Sequence, residues 1–184
     1  MKHFPLYIDI SHKKVLVIGG GHIAERRITT LLSFQSDITV IAPTISETLL
    51  TQVNARQIAW IQASLCPRDD STLQIHPADT TMETTMETDF RSMVTREAPY
   101  LILAATHDRS INHGISLVAR ACRIPVNVCD CQEECDFYFP AIIEEDGIVA
   151  SVTANGTNHR LVRSLATQIR ALLRENLDDS GHST

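Results

Sequence analysis

Lys14-Val15-Leu16-Val17-Ile18-Gly19-Gly20-Gly21-His22-Ile23-Ala24 is the stretch that decides the fold. A short, continuous apolar run that ends abruptly in glycines reads as a strand buried on both faces. After it, Ile23, Ala24, Ile28, Leu31 and Leu32 recur at helical spacing, with Glu25, Arg26 and Arg27 on the other side, which predicts an amphipathic helix. Asp37 to Ile41 reads as a second, β-branched strand, stopped at Ala42-Pro43 because proline lacks a ladder donor. Strand, glycine turn, helix and strand make one βαβ unit. Within it, Gly19-x-Gly21-x-x-Ala24 has the setting that a dinucleotide fingerprint requires. Gly19 makes the tight turn, Gly21 removes a Cβ so that a pyrophosphate can approach the backbone, and Ala24 lets helix and strand pack closely. The helix start then offers unpaired N–H groups and the positive dipole end. A glycine turn used only for packing is the plainer alternative.

Outward from this unit, Ile45 to Ala55 predicts a short helix and Ile58 to Ala63 a weak strand around Trp60. From Cys66 to Arg96 the composition turns polar and Thr-rich. There Thr80-Thr81-Met82-Glu83 is repeated as Thr84-Thr85-Met86-Glu87, and residues 79–90 are expected to form a solvated insertion. Order returns with a buried-strand run from Tyr100 to Ala105, a helix from Ser110 to Cys122, and a strand from Val126 to Cys129. This alternation predicts an open parallel sheet covered by helices. Phe137 to Ile143 and Gly147 to Thr153 then read as strands joined by the turn Glu144-Glu145-Asp146-Gly147. Asn155-Gly156 precedes a last amphipathic helix from Asn158 to Glu175, and the tail from Asp178 is expected to fray. The class is therefore α/β, a Rossmann-type parallel sheet with a small β segment and a short C-terminal helical region. Its expected divisions are residues 1–136, 137–156 and 157–184.

The 184 residues suit one domain or one domain with an extension, and 43% hydrophobic with 21% charged residues is ordinary globular usage. Sixteen Lys and Arg against 22 Asp and Glu give a net charge of −6, which disfavours non-specific attraction to nucleic acid or anionic lipid. No apolar run is long enough to span a membrane and no signal-peptide pattern opens the chain, so the expected address is the cytoplasm. Five cysteines, with Cys129, Cys131 and Cys135 clustered, are expected to be reduced thiols. The Cys-x-Cys-x-x-x-Cys spacing matches none of the paired zinc patterns, so no metal is expected.

The acidic residue that usually ends the second strand and grips the adenosine ribose is replaced by Ile41-Ala42-Pro43-Thr44, and no arginine follows, which favours NAD over NADP. Asp130 follows the strand that ends at Cys129, at the carboxyl edge where open α/β sheets bind ligands. It is either a general base or an ordinary loop-capping aspartate. Arg160, Arg163, Arg170 and Arg174 stud the last helix. On the residues alone they read as a solvated face before they read as a carboxylate clamp.

Several collinear segments together resemble one family, the precorrin-2 dehydrogenase module of siroheme synthesis. They are Phe4-Pro5-Leu6-Tyr7-Ile8, Val15 to Arg27 around the glycines, Val40-Ile41-Ala42-Pro43, and Ala104-Ala105-Thr106-x-Asp108 with Asn112. Further on come Val126-Asn127-Val128-Cys129-Asp130, Cys135-Asp136-Phe137-Tyr138-Phe139-Pro140-Ala141 and Asn155-Gly156-Thr157. The resemblance implies oxidation of precorrin-2 to sirohydrochlorin with NAD as hydride acceptor, a dimerisation segment of strands, and a homodimer. It implies that Asp130 is the residue tied to catalysis. It also implies nucleotide contacts from Gly19, Gly21, His22, Ile23 and Ala24, joined by Ala42, Pro43, Ala105 and Thr106. Substrate contacts are expected at Asn127, and at Arg160 and Arg163 as clamps for the carboxylates of the tetrapyrrole. Thr153-Ala154-Asn155 stands where siroheme synthases commonly carry serine and glycine, so a serine-dependent control is not expected there. The alternatives are a bifunctional enzyme that also inserts Fe²⁺, using Asp130 and a thiol such as Cys131, or a non-catalytic NAD-binding module.

Overall fold

Val15, Leu16, Val17 and Ile18 are buried in the centre of a seven-stranded sheet, as a continuous apolar run between two helical layers must be. The computed structural model describes residues 4–69, 72–78, 88–154 and 158–180. The chain forms two compact units, Met1–Phe137 and Tyr138–Thr184.

In the first unit the elements are β1 (Lys14–Ile18), α1 (His22–Ser33), β2 (Asp37–Ala42), α2 (Glu47–Asn54) and β3 (Ile58–Asp69). They continue as β4 (Thr72–Pro77), β5 (Thr88–Asp89), α3 (Phe90–Glu97), β6 (Leu101–Ala104), α4 (Arg109–Ala121) and β7 (Val126–Val128). The strand order is β5-β4-β3-β2-β1-β6-β7. β3, β2, β1, β6 and β7 are parallel, while β4 and β5 extend the sheet antiparallel beyond β3. The chain winds outward from β1 in one direction to β3, then returns to the other side of β1 for β6 and β7. This reversal creates a switch point between β1 and β6, and it is outside the carboxyl ends of the strands at such a point that open α/β sheets bind ligands.

The polar stretch from Cys66 to Arg96 is more ordered than its composition suggests. β3 runs on to Asp69, β4 places Leu73 and Ile75 in the core, and α3 buries Phe90, Met93 and Val94. The expected insertion is thus corrected at its C-terminal end, where residues 88–90 begin an ordered strand and helix. The repeat at residues 80–87 lies outside the described residues, as does Asn155-Gly156-Thr157.

In the second unit β8 (Ala141–Glu145) pairs antiparallel with β9 (Ile148–Val152). Asp146 and Gly147 both have positive φ, 47° and 79°, the paired left-handed geometry of a type I′ hairpin turn. The helix α5 (His159–Ser180) packs on the hairpin and buries Ala166, while Ile143 is buried from β8. Glu145 anchors it through Arg170 and Arg174 at 3.5 and 2.8 Å. Among the described residues no helix is long and apolar enough to cross a membrane.

Candidate functional site

The turn after β1 is built by contact. Gly19 adopts φ +116°, and a Cβ there would lie 2.2 Å from the carbonyl oxygen of Ala105. Gly20, which the fingerprint treats as a free position, is equally constrained, since its Cβ would lie 2.3 Å from the Thr44 carbonyl oxygen. Gly21 is the opposite case, because a Cβ added there would meet nothing within 4 Å. The first two glycines let neighbouring loops close on the turn, and the third faces open space. Gly21 is also the N-cap of α1 and supplies no side-chain cap to the helix, so the N–H groups of the first turn lie beside the gap. An open cradle floored by uncapped N–H groups fits a dinucleotide pyrophosphate.

Backbone hydrogen bonds join the surrounding loops. Gly19 N donates to the Ile41 carbonyl at 2.9 Å, Ala105 N to Ile18 at 2.8 Å, and Cys129 N to Ala104 at 2.9 Å. Together they gather Gly19, Gly21, Ala42, Pro43, Ala105, Thr106 and Asp130 at the carboxyl ends of β1, β2, β6 and β7. Ala24 is buried under the turn, whereas His22 and Ile23 are exposed at the start of α1. At the end of β2, Trp60 Nε1 donates to the Ala42 carbonyl at 2.9 Å and Gln62 Nε2 to the Pro43 carbonyl at 3.3 Å. These two side chains of β3 fix the loop where a ribose-gripping carboxylate would otherwise stand.

Asp130 lies at the end of β7 with its side chain 35% exposed. Its Oδ2 accepts from Asn112 Nδ2 at 2.9 Å and its Oδ1 from Arg109 Nη1 at 3.2 Å. Arg109 also pairs with Glu134, and His113 Nδ1 lies 2.8 Å from the same Glu134 oxygen. Burial acts to raise the Glu134 carboxyl, but its hydrogen bonds with Arg109 and His113 outweigh this and hold it below its ordinary value. The hydrogen bond with Glu134 raises the Arg109 guanidinium in turn. On the other side of the strand end, burial pushes the Cys129 thiol up and pulls the neighbouring Arg27 guanidinium down.

Asn127 points inward. It is buried in β7, and its Nδ2 donates to the Phe137 carbonyl at 2.8 Å, pinning the segment that follows Asp130. Cys135 has a similar inward role, since its thiol accepts from Val128 N at 3.2 Å. The cysteines are free thiols, and among the described residues no three His, Cys, Asp or Glu side chains are grouped as a metal site would need. Arg160 and Arg163 are exposed at the start of α5, in the second unit. The sequence reading missed Gly20, Arg109, Glu134 and the role of Asn112. The last had a signal: Asn112 stands one helical turn after Asp108, the N-cap of α4, and so faces the same end of the sheet.

Comparison with known proteins agrees with this geometry. Residues 6–141 match a family model described as NAD(P)-binding. The chain is 41% identical over 170 residues to the "Probable multifunctional siroheme biosynthesis protein HemA" of Ruminiclostridium josui, covering 92% of this chain and 28% of that protein. It is 35% identical to a siroheme synthase of Psychrobacter cryohalolentis over 94% of this chain and 28% of that protein. To a siroheme synthase of Neisseria meningitidis it is 29% identical, over 97% and 32% respectively. The chain thus spans about a third or less of the length of these curated relatives. Among solved structures, SirC, a precorrin-2 dehydrogenase, superimposes with a TM-score of 0.60 over 92% of this chain and 70% of its own. At 20% identity that likeness is one of fold. The fingerprint turn, the switch point and the match over residues 6–141 together make this chain a member of the NAD(P)-binding family.

Proposed function

We propose that this chain oxidises precorrin-2 to sirohydrochlorin with NAD as the hydride acceptor, in siroheme biosynthesis. The observation that carries the proposal is the Asp130 carboxylate, which stands at the end of β7 on the same carboxyl edge of the sheet as the open glycine turn. Likeness to siroheme-synthesis proteins over more than nine-tenths of the chain supports the choice of substrate. When bound, the nicotinamide supplies the acceptor for a hydride from a ring carbon of the macrocycle.

The chain's own groups hold and orient the reactants. Gly19, Gly21, Ala24 and the first turn of α1, with His22 and Ile23 at its mouth, receive the pyrophosphate, while Ala42, Pro43, Ala105 and Thr106 line the nucleoside ends. One hydride and one proton leave the macrocycle, and Asp130 accepts the proton. Asn127 contributes by pinning the segment beyond Asp130. Arg160 and Arg163 receive substrate carboxylates, which a protein of net charge −6 can attract only through local cations. The absence of an acidic residue or a following arginine at the end of β2 supports NAD over NADP. A cytoplasmic homodimer completes the reading; its dimer contact is supported by the exposed apolar side chains Phe4 and Leu6, which are 86% and 72% accessible.

The test is NADH formation from precorrin-2 by the Asp130→Asn variant. Turnover is expected to fall about a hundredfold or more, the scale of a lost general base, with NAD affinity within a few-fold of the parent. Unchanged turnover would remove Asp130 from the chemistry.

A further inference from the structure

The nucleotide loop and the Asp130 carboxylate are joined by one buried side chain. Asn112 is fully buried, and both ends of its amide are engaged. Its Oδ1 accepts from the Thr106 N–H at 3.1 Å and the Thr106 hydroxyl at 2.8 Å. Its Nδ2 donates to the Thr106 carbonyl at 3.1 Å and to Asp130 Oδ2 at 2.9 Å. Thr106 N is also one of the atoms that a Cβ on Gly19 would crowd, at 3.1 Å. A continuous run of contacts therefore leads from the glycine turn through Thr106 and Asn112 to Asp130.

We propose that Asn112 and Arg109 are the positioning residues of Asp130, fixing one carboxylate oxygen each so that the base keeps a set orientation at the carboxyl edge of the sheet. This inference rests on the dehydrogenase reading above. Three of the Asn112 hydrogen bonds serve the loop at Thr106, and those alone would justify a buried amide. The fourth reaches an exposed carboxylate that water could otherwise solvate, so it adds orientation rather than burial. Arg109 completes the arrangement from the surface. Its guanidinium lies between Asp130 and Glu134 and is neutralised by them, which leaves it poorly suited to capture a substrate carboxylate. Glu134 holds it there, with a side chain only 15% exposed and Oε2 buried without a hydrogen-bond partner. With Oδ2 on a buried donor and Oδ1 on an anchored cation, rotation of the Asp130 carboxylate would break both bonds. Displacing a reacting group by about 1 Å costs on the order of a hundredfold in rate, which sets the size of the effect.

The experiment compares kcat and the KM for NAD of the 184-residue chain with Arg109→Gln, Arg109→Lys, Asn112→Ser and Asp130→Asn. Arg109→Gln and Asn112→Ser are each also combined with Asp130→Asn. For Asp130→Asn and the double variants, precorrin-2 oxidation is followed in single turnovers with enzyme in excess, and their rate constants are compared with one another. Arg109→Gln is expected to lower the rate about ten- to a hundredfold, with the KM for NAD within about threefold of the parent. Asn112→Ser is expected to lower the rate similarly and also to raise the KM for NAD, because Asn112 holds the Thr106 loop. Arg109→Lys is expected to recover part of the loss. Neither change should lower the rate further once Asp130 is asparagine, because both act through it. Losses that multiply in the double variants, that appear in the KM for NAD of Arg109→Gln, or that do not occur would overturn the inference. If Asn112→Ser fails to fold, the surface residue Arg109 carries the test by itself. Absence of turnover by the parent chain would overturn the dehydrogenase reading and this inference with it. Multiplied losses in an active enzyme would overturn this inference alone.

Discussion

Replacing the glycines of the turn one at a time should separate stability from binding. In Gly19→Ala the new Cβ would lie 2.2 Å from the Ala105 carbonyl oxygen, on a backbone held at φ +116°. Strain of about 1–3 kcal/mol for the backbone and a similar amount for overpacking give a loss of about 2–6 kcal/mol. That is a large part of a typical domain's stability of about 5–15 kcal/mol. Gly21→Ala meets no atom within 4 Å, and its φ of −85° is open to any residue. Alanine is a poorer N-cap than glycine by about 0.5–1 kcal/mol, but it also narrows the unfolded ensemble by about 0.4–1 kcal/mol. The net change should stay within about 0.5 kcal/mol. Binding should respond in the other order, since under the proposed reading a methyl group at Gly21 would take the open space offered to the pyrophosphate. Losing one charge-assisted hydrogen bond, about 1.5–3 kcal/mol, weakens NAD about ten- to a hundredfold, and Gly21→Val should abolish binding. Urea denaturation reads the stability. Quenching of Trp60 reads the binding, because it is the single tryptophan of the chain and its indole is bonded to the Ala42 carbonyl. Parental NAD affinity in Gly21→Ala would refute the fingerprint reading. Equal destabilisation by Gly19→Ala and Gly21→Ala would refute the contact geometry.

Two further outcomes probe parts of the first unit that the turn does not reach. Phe90→Ala should cost about 3–5 kcal/mol in urea, because Phe90 is fully buried; a loss below about 1 kcal/mol would show that α3 is not docked in solution. Glu134 binds its proton less tightly in the folded chain than its ordinary value of 4.5, so its stabilising contribution is complete above that pH and is lost as pH falls through the lower folded value. Glu134→Gln should therefore flatten the acid limb of stability below pH 4.5, and an unaltered limb would show that its pairing with Arg109 contributes nothing.

What was legible in the sequence is what local physics encodes. The run Val15 to Ile18 has no polar position and ends on glycine, so it could only be a central strand. Asp146-Gly147 takes positive φ at both positions, which few other pairs allow. Cys66 to Arg96 was opaque for physical reasons. The outer part of β3 exposes Cys66, Pro67 and Arg68, and β4 is a short strand on the antiparallel flank that ends in proline. In α3, Phe90, Met93 and Val94 form a single apolar turn in an eight-residue helix, too short to establish a period. The environment of Asp130 was hidden differently. Its partner Arg109 lies 21 positions away in sequence and Asn112 lies 18 away, so only the fold brings them together. Asn112 is a polar interruption in the apolar face Ile111, Ile115, Val118 and Ala119, and it marks where the helix meets the site.

Helix N-caps carry the same distinction between structure and site. Ser46 accepts from Leu49 N at the start of α2, Asp89 from Ser92 N at α3, Asp108 from Ser110 N and Ile111 N at α4, and Asn158 from Leu161 N at α5. Each of these helices satisfies part of its first turn from its own chain. Among the described helices, α1 is the one that begins on a glycine without a side-chain cap. Its leading N–H groups must take a partner from outside, water or an anion, because unpaired donors at a helix start are costly. α4 starts at the same edge of the sheet, but Asp108 occupies its first N–H groups and leaves its side chains Arg109 and Asn112 to hold Asp130. The two helices therefore divide the work at the switch point. The uncapped one offers backbone donors to a phosphate, and the capped one sets the direction of a carboxylate.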